Sequence, residues 1–175
     1  MKSAGIPEIL SFLIFTLITL TNAIPTGSST SSALTGPRGF GLEYINLEGE
    51  LYFQPCFPNY AQANMCTVSF IEHSSWNSLV QLFIYDHECK RIGENYHVPR
   101  DYLAAKWGWG MTSELPKYLV LSIARDWQPN KNNGVKLDYG DSHFKPFVKS
   151  PFAPEFTSQG HMGSYTLFRA AFPCK

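Results

Sequence analysis

The sequence predicts an all-β fold, an antiparallel β-sandwich or barrel with one short helix, on three observations. Apolar and polar residues alternate with a period of two over much of the chain beyond Gly39. Glycine, proline and an Asn133-Gly134 pair punctuate these runs as turn signals. About seven strand-length runs follow one another, and a chain of this size closes such runs into packed antiparallel sheets.

Residues 41–47 alternate apolar with polar, 51–53 follow the Gly49 turn, and 67–71 alternate again, so these three read as half-buried strands. Residues 79–85 and 118–123 are denser in apolar side chains and are expected in central strands. Pro99 opens a helical turn, residues 102–106 favour its continuation, and Gly108 ends it. Residues 135–139, directly after Asn133-Gly134, and residues 164–172 supply the later strands. Between Tyr139 and Ser164, Pro146, Pro151 and Pro154 interleave with Phe144, Phe147, Phe152 and Phe156. That pattern predicts a long loop packed by its own aromatics over one end of the sandwich.

Residues 1–23 read as a signal peptide: Lys2 is the positive start, an apolar run covers 9–20, and Thr21-Asn22-Ala23 presents a cleavage site after Ala23. The run falls short of the roughly 18 to 20 apolar residues that span a bilayer, so no membrane partner is expected after cleavage. Residues 24–39 form a flexible Ser/Thr-rich leader, and residues 40–175 a disulfide-braced β domain. The 175 residues carry 14 Lys+Arg against 14 Asp+Glu, which leaves no basic footprint for nucleic acid.

Cys56, Cys66, Cys89 and Cys174 all follow the signal, and an even count in an oxidising compartment implies two disulfides. Three pairings are open. Turn signals at Pro55, Pro58 and Asn59 favour Cys56 with Cys66, which leaves Cys89 for Cys174. With no Cys-x-x-Cys and histidines scattered at positions 73, 87, 97, 143 and 161, neither a metal nor a cofactor is expected.

Catalytic patterns are weak. Gly140-Asp141-Ser142-His143 sets a serine beside an acid and a base, as in the GDS block of one esterase class. Here it falls late in the chain, and sequence neighbours seldom converge as a triad must, so a polar turn is expected. The carboxylate pairs Asp86/Glu88, Asp138/Asp141 and Glu48/Glu50 are of a kind any β protein offers at its turns. No catalytic residue is assigned. More pointed is Trp107-Gly108-Trp109-Gly110, where two rings alternate with glycine. If that segment is extended, both rings face the same way, and flat rings on a rigid sandwich grip sugars and peptides. Trp107 and Trp109 are the expected binding residues.

A layout is formed by the signal peptide before Ile24-Pro25 and a Ser/Thr leader, the 85–89 to 92–93 stretch YDHEC…IG, Leu115-Pro116 before an apolar strand, and the terminal Ala171-Phe172-Pro173-Cys174. It resembles the small secreted proteins of filamentous fungi, many of them effector candidates. The resemblance implies a host-facing or wall-facing role and transfers no active site. The expectation is therefore an extracellular, non-enzymatic binding or effector-like protein whose partner is a host protein or a cell-wall glycan. Its rival is a small secreted hydrolase acting on an extracellular polymer.

Overall fold

The computed structural model describes residues 44–129, 131, 134–148 and 156–175. The expected signal peptide, leader and start of the 41–47 strand lie outside the described residues. In chain order the elements are β1 (Ile45–Asn46), β2 (Tyr52–Phe53), β3 (Met65–His73), β4 (Leu79–Tyr85), β5 (Arg91–Pro99), α1 (Arg100–Leu103), β6 (Trp109–Met111), β7 (Leu119–Ile123), β8 (Val135–Tyr139), β9 (Ser142–Phe144), β10 (Ser158–Met162) and β11 (Tyr165–Pro173). Every pairing among them is antiparallel. The fold is all-β with one short helix.

Two sheets make the sandwich: a five-stranded one in the order β10-β11-β3-β4-β5 and a four-stranded one in the order β6-β7-β8-β9. Alternation along each strand sends one set of side chains into the space between them. Phe70, Leu82, Ile84, Phe168 and Phe172 come from the larger sheet, and Leu119, Leu121, Ile123 and Leu137 from the smaller. Phe70 stacks parallel on Phe168 at 5.0 Å, and the buried Trp127 meets both rings edge-on. Truncating a ring so enclosed costs about 3–5 kcal/mol, part of it for the cavity left behind.

The other face of the larger sheet is covered too. Ile71, Phe83, Tyr85 and Leu167 pack there against Phe53 and Cys56, with Ile45, Leu47 and Trp76 at the margin. The β1–β2 hairpin and the chain after it thus form a third, partial layer. This corrects the half-buried reading of 67–71: β3 is buried on both faces from Met65 through Ile71. Its polar Ser69 is accommodated because its hydroxyl donates to the Pro55 carbonyl of the covering segment.

That covering segment also decides the disulfides. The bridges are Cys56–Cys89 and Cys66–Cys174, not the Cys56–Cys66 and Cys89–Cys174 pairs expected from the prolines. The prolines do not fold the chain back on β3; they carry it across the sheet, where the Asn59 amide donates to the His87 carbonyl at 2.7 Å and Cys56 arrives beside the β4–β5 turn. Cys66 stands opposite Phe172 in the β3–β11 ladder, so Cys174, two residues on and just past the end of β11, comes to it.

The expected long loop between Tyr139 and Ser164 is interrupted by β9 and β10, and residues 149–155 lie outside the described residues. β10 pairs with β11 over five residues, from Ser158–Arg169 to Met162–Tyr165. Phe144 and Phe147 do pack on the core from this stretch. The nine-residue β5 is a further strand that its sequence conceals, because bulges break its register with β4 and His97 takes a left-handed φ of 56°.

Helix α1 runs from Arg100 to Leu103 with Pro99 as its N-cap, and stops short of the expected end at Gly108. Arg100, its first residue, is held by Glu72 at 3.1 Å and by the Trp127 carbonyl at 3.2 Å, with its guanidinium over the Phe70 and Trp127 rings. Burial pulls Arg100 below the usual arginine range, with Glu72 opposing, and pushes the Glu72 carboxyl above the usual carboxylate range, with Arg100 opposing. Desolvation outweighs the pair's attraction on both sides.

Candidate functional site

Several of the histidines and carboxylates sit at hairpin ends and brace the turns there. Asp86 accepts from the Glu88 amide at 3.0 Å and the Lys90 amide at 2.9 Å, closing the β4–β5 turn. Gly140-Asp141 is the β8–β9 turn, with Gly140 at φ +56°, which matches the polar turn expected there. His143 Nδ1 lies 2.7 Å from Asp138 across this hairpin. Ser142 is its strand neighbour and therefore points to the opposite face, so the serine and the imidazole of the GDSH stretch diverge.

A second histidine collects more partners. His73 Nδ1 lies 2.6 Å from Ser75 Oγ and accepts from the Ser75 amide at 3.2 Å, while Nε2 comes within 2.6 Å of Glu48 Oε1. No hydrogen bond forms across that last contact. Serine, imidazole and carboxylate are thus in line. The adjacent amides are already spent, Ser74 on the Ser164 carbonyl and Trp76 on the His73 carbonyl. A hydrolytic site needs such amides for the oxyanion, so this cluster clasps the β1–β2 turn to the end of β3. Tyr165 completes it, its hydroxyl donating to the Leu47 carbonyl at 2.8 Å. Burial, then the Glu48 charge, raises the Tyr165 phenol above its ordinary range.

An open groove of about 270 Å³ lies between β2 and the β10–β11 edge, lined among others by Tyr52, Gln54, Gly160, Met162 and Arg169. Arg169 spans its floor: the guanidinium donates to the Gln54 carbonyl at 2.7 Å and lies 4.0 Å from the Phe57 ring centroid. Desolvation lowers it to about 10. These contacts make it a strut that holds residues 54–57 to the sheet.

The tryptophans behave differently from one another. Gly108 is left-handed at φ +63°, so the segment is not extended there and the alternation argument fails. Trp109 stands opposite Leu121, half-buried at the sandwich edge, where it stacks on Tyr102 at 15° and 6.0 Å and donates its indole N–H to Asn95 Oδ1 at 3.2 Å. Asn95 in turn bonds the Thr112 backbone through both its amide groups. Trp107 turns outward: it is 78% exposed, and the Lys106 ammonium sits 4.6 Å from its ring centroid. Glycine is required between the two, since a Cβ at Gly108 would collide with Ser122 Oγ and lie 2.7 Å from the Leu121 carbonyl.

Tyr118, at 84% exposure, is a ring the sequence reading passed over. Its parity with Val120 and Ser122 was the available signal, because those positions alternate with the buried Leu119, Leu121 and Ile123. Compared with protein-family models, curated proteins and solved structures, the chain matches none.

Proposed function

We propose that the protein is a secreted, non-enzymatic binding protein of effector-like type, acting by surface contact with a host protein or a wall polysaccharide. The observation that carries this reading is the state of Trp107. At 78% exposure the ring contributes little to the core and offers an apolar face with a polar edge to a ligand. It also sits on a firm mount: Gly108 is wedged against β7, and Trp109 beside it is fixed by Tyr102 and Asn95. A rigid aromatic binds with little ordering cost, which is why such rings dominate recognition surfaces.

Two disulfides support an oxidising, extracellular setting, and among the described residues no helix is long and apolar enough to cross a membrane. The N-terminal 23 residues add the pattern of a cleaved signal. The His73/Glu48, Asp86 and His143/Asp138 groups bear on the hydrolase alternative, since they brace turns. The test is capture of wall glycans and host extracellular proteins by the purified protein, run beside Trp107→Ala. Specific capture that Trp107→Ala abolishes supports the reading; turnover of a polymer that survives Trp107→Ala contradicts it.

A further inference from the structure

We infer that the open face of the four-stranded sheet binds an acidic polysaccharide, a chain bearing uronate carboxylates; this rests on the surface-contact reading above and names its ligand class. The face is defined by parity. Leu119, Leu121, Ile123, Val135, Leu137 and Tyr139 turn inward, so Val120, Ser122, Lys136 and Asp138 turn out, with Gly110 beside Val120 and His143 beside Asp138. Nothing lies within 4 Å of where a Cβ at Gly110 would stand, so this face is open along its β6 edge.

The two most exposed large rings of the described residues mark the ends of the β6–β7 ladder. Trp107 precedes β6 in a turn laid over the outward side of β7, where Gly108 meets Ser122 and Val120, and Tyr118 precedes β7 at the other end. From strand rise alone these ends are on the order of 15 Å apart, a span for an extended chain rather than a single sugar. Flat rings at both ends of such a strip stack against pyranose faces.

Charge selects among polysaccharides. Lys106 lies against Trp107, Lys117 precedes Tyr118 and lays its stem over Gly140, and Lys136 projects from β8. Among the described residues none of the three has an ion-pair partner, although ion pairs form elsewhere on the surface. The acids on these strands and their connections are Asp138, which is engaged by His143, Asp141 in the β8–β9 turn, and Glu114 in the β6–β7 connection, whose amide is tied to the Ile92 carbonyl of the larger sheet. With Asp138 paired and Glu114 anchored toward β5, the three lysines outnumber Asp141 on the strip, on a protein whose formal charge is zero. A regularly spaced carboxylate chain complements that arrangement, and a neutral glucan leaves the lysines unanswered.

The experiment is affinity electrophoresis and calorimetry of the full secreted protein against soluble polygalacturonate, with a neutral β-glucan of similar length as control. We expect binding to the polyuronate only, weakened about tenfold in Lys106→Gln/Lys117→Gln/Lys136→Gln, since each surface pair contributes little alone. Trp107→Ala and Tyr118→Ala should each weaken it by about tenfold or more. Binding should also fall steeply in 1 M salt, where the screening length is about 3 Å. If the triple variant is destabilised through the Lys117 stem on Gly140, Lys106→Gln/Lys136→Gln carries the same test with a smaller loss. Failure to bind polyuronate, or equal and salt-insensitive binding to both polymers, overturns the inference. Binding to neutral glucan alone, or to a host protein, that depends on Trp107 overturns the acidic ligand and leaves the surface-contact reading standing. A Trp107→Ala variant that keeps whatever binding the protein has sinks that reading itself.

Discussion

Replacing Cys66 and Cys174 together by alanine isolates the bridge that closes most of the domain. The two cysteines are 108 residues apart, against 33 for Cys56 and Cys89. In the chain-entropy account, loops of these lengths restrict the unfolded state by about 5 and about 4 kcal/mol. The native state should absorb the change with little movement. β11 stays paired to β3 over nine residues, the Cys174 amide still donates to the Asn64 carbonyl at 2.8 Å, and the Tyr139 hydroxyl still reaches the Cys174 carbonyl at 2.9 Å. The loss therefore falls mainly on the unfolded side, and it is a large share of the roughly 5–15 kcal/mol that holds a typical domain together. Urea unfolding of the wild type and of each double variant measures it. The midpoint should drop in both, more for Cys66/Cys174, and the denaturant slope should rise as the released chain expands. A loss below about 1 kcal/mol for Cys66/Cys174, or a greater loss for Cys56/Cys89, would refute the reasoning. Peptide mapping without reduction gives the connectivity directly, and a Cys56–Cys66 peptide would refute the fold's covering layer.

The same unfolding assay separates the tryptophans: Trp127→Ala should cost about 3–5 kcal/mol, and Trp107→Ala should stay within about 0.5 kcal/mol of wild type. Equal losses would show that the Trp107 ring is packed. Glu72→Gln tests the half-buried pair with Arg100 through pH. Because the folded carboxyl is raised above its ordinary value, the native state holds its proton longer than the unfolded chain, so the stability this group contributes is present at low pH and lost as pH rises through the folded value. Relative to Glu72→Gln, the wild type should lose stability as pH climbs from about 4 into the mildly acidic range, and a difference that does not change with pH would contradict the assignment.

Where a strand is both apolar and regular, the sequence and the structure agree closely. β4 and β8 occupy residues 79–85 and 135–139, as their periodicity predicts. β10 is Ser158-Gln159-Gly160-His161-Met162, with no apolar alternation to announce it; it is a strand because β11 offers it a hydrogen-bonding edge, which is a tertiary fact. β5 hides for a different reason: Gly93, the register shifts and the left-handed His97 break the pattern of two. The disulfides failed because turn residues report a change of direction and not where the chain arrives. At the candidate site, Trp107 and Trp109 were visible by composition, but the φ of Gly108 that sends one out and one in is not written in any period. Tyr118 and the three lysines carry no motif, and they become one surface only when β6, β7 and β8 are laid side by side.

The central claim is that this protein works by contact through the Trp107 side of its four-stranded sheet. The most direct measurement is the dissociation constant for whichever wall glycan or host protein the purified protein captures, taken for wild type and Trp107→Ala with the unfolding midpoints of both recorded alongside. The account predicts affinity weakened by about tenfold or more at unchanged stability. Unchanged affinity in a stable Trp107→Ala protein would contradict it.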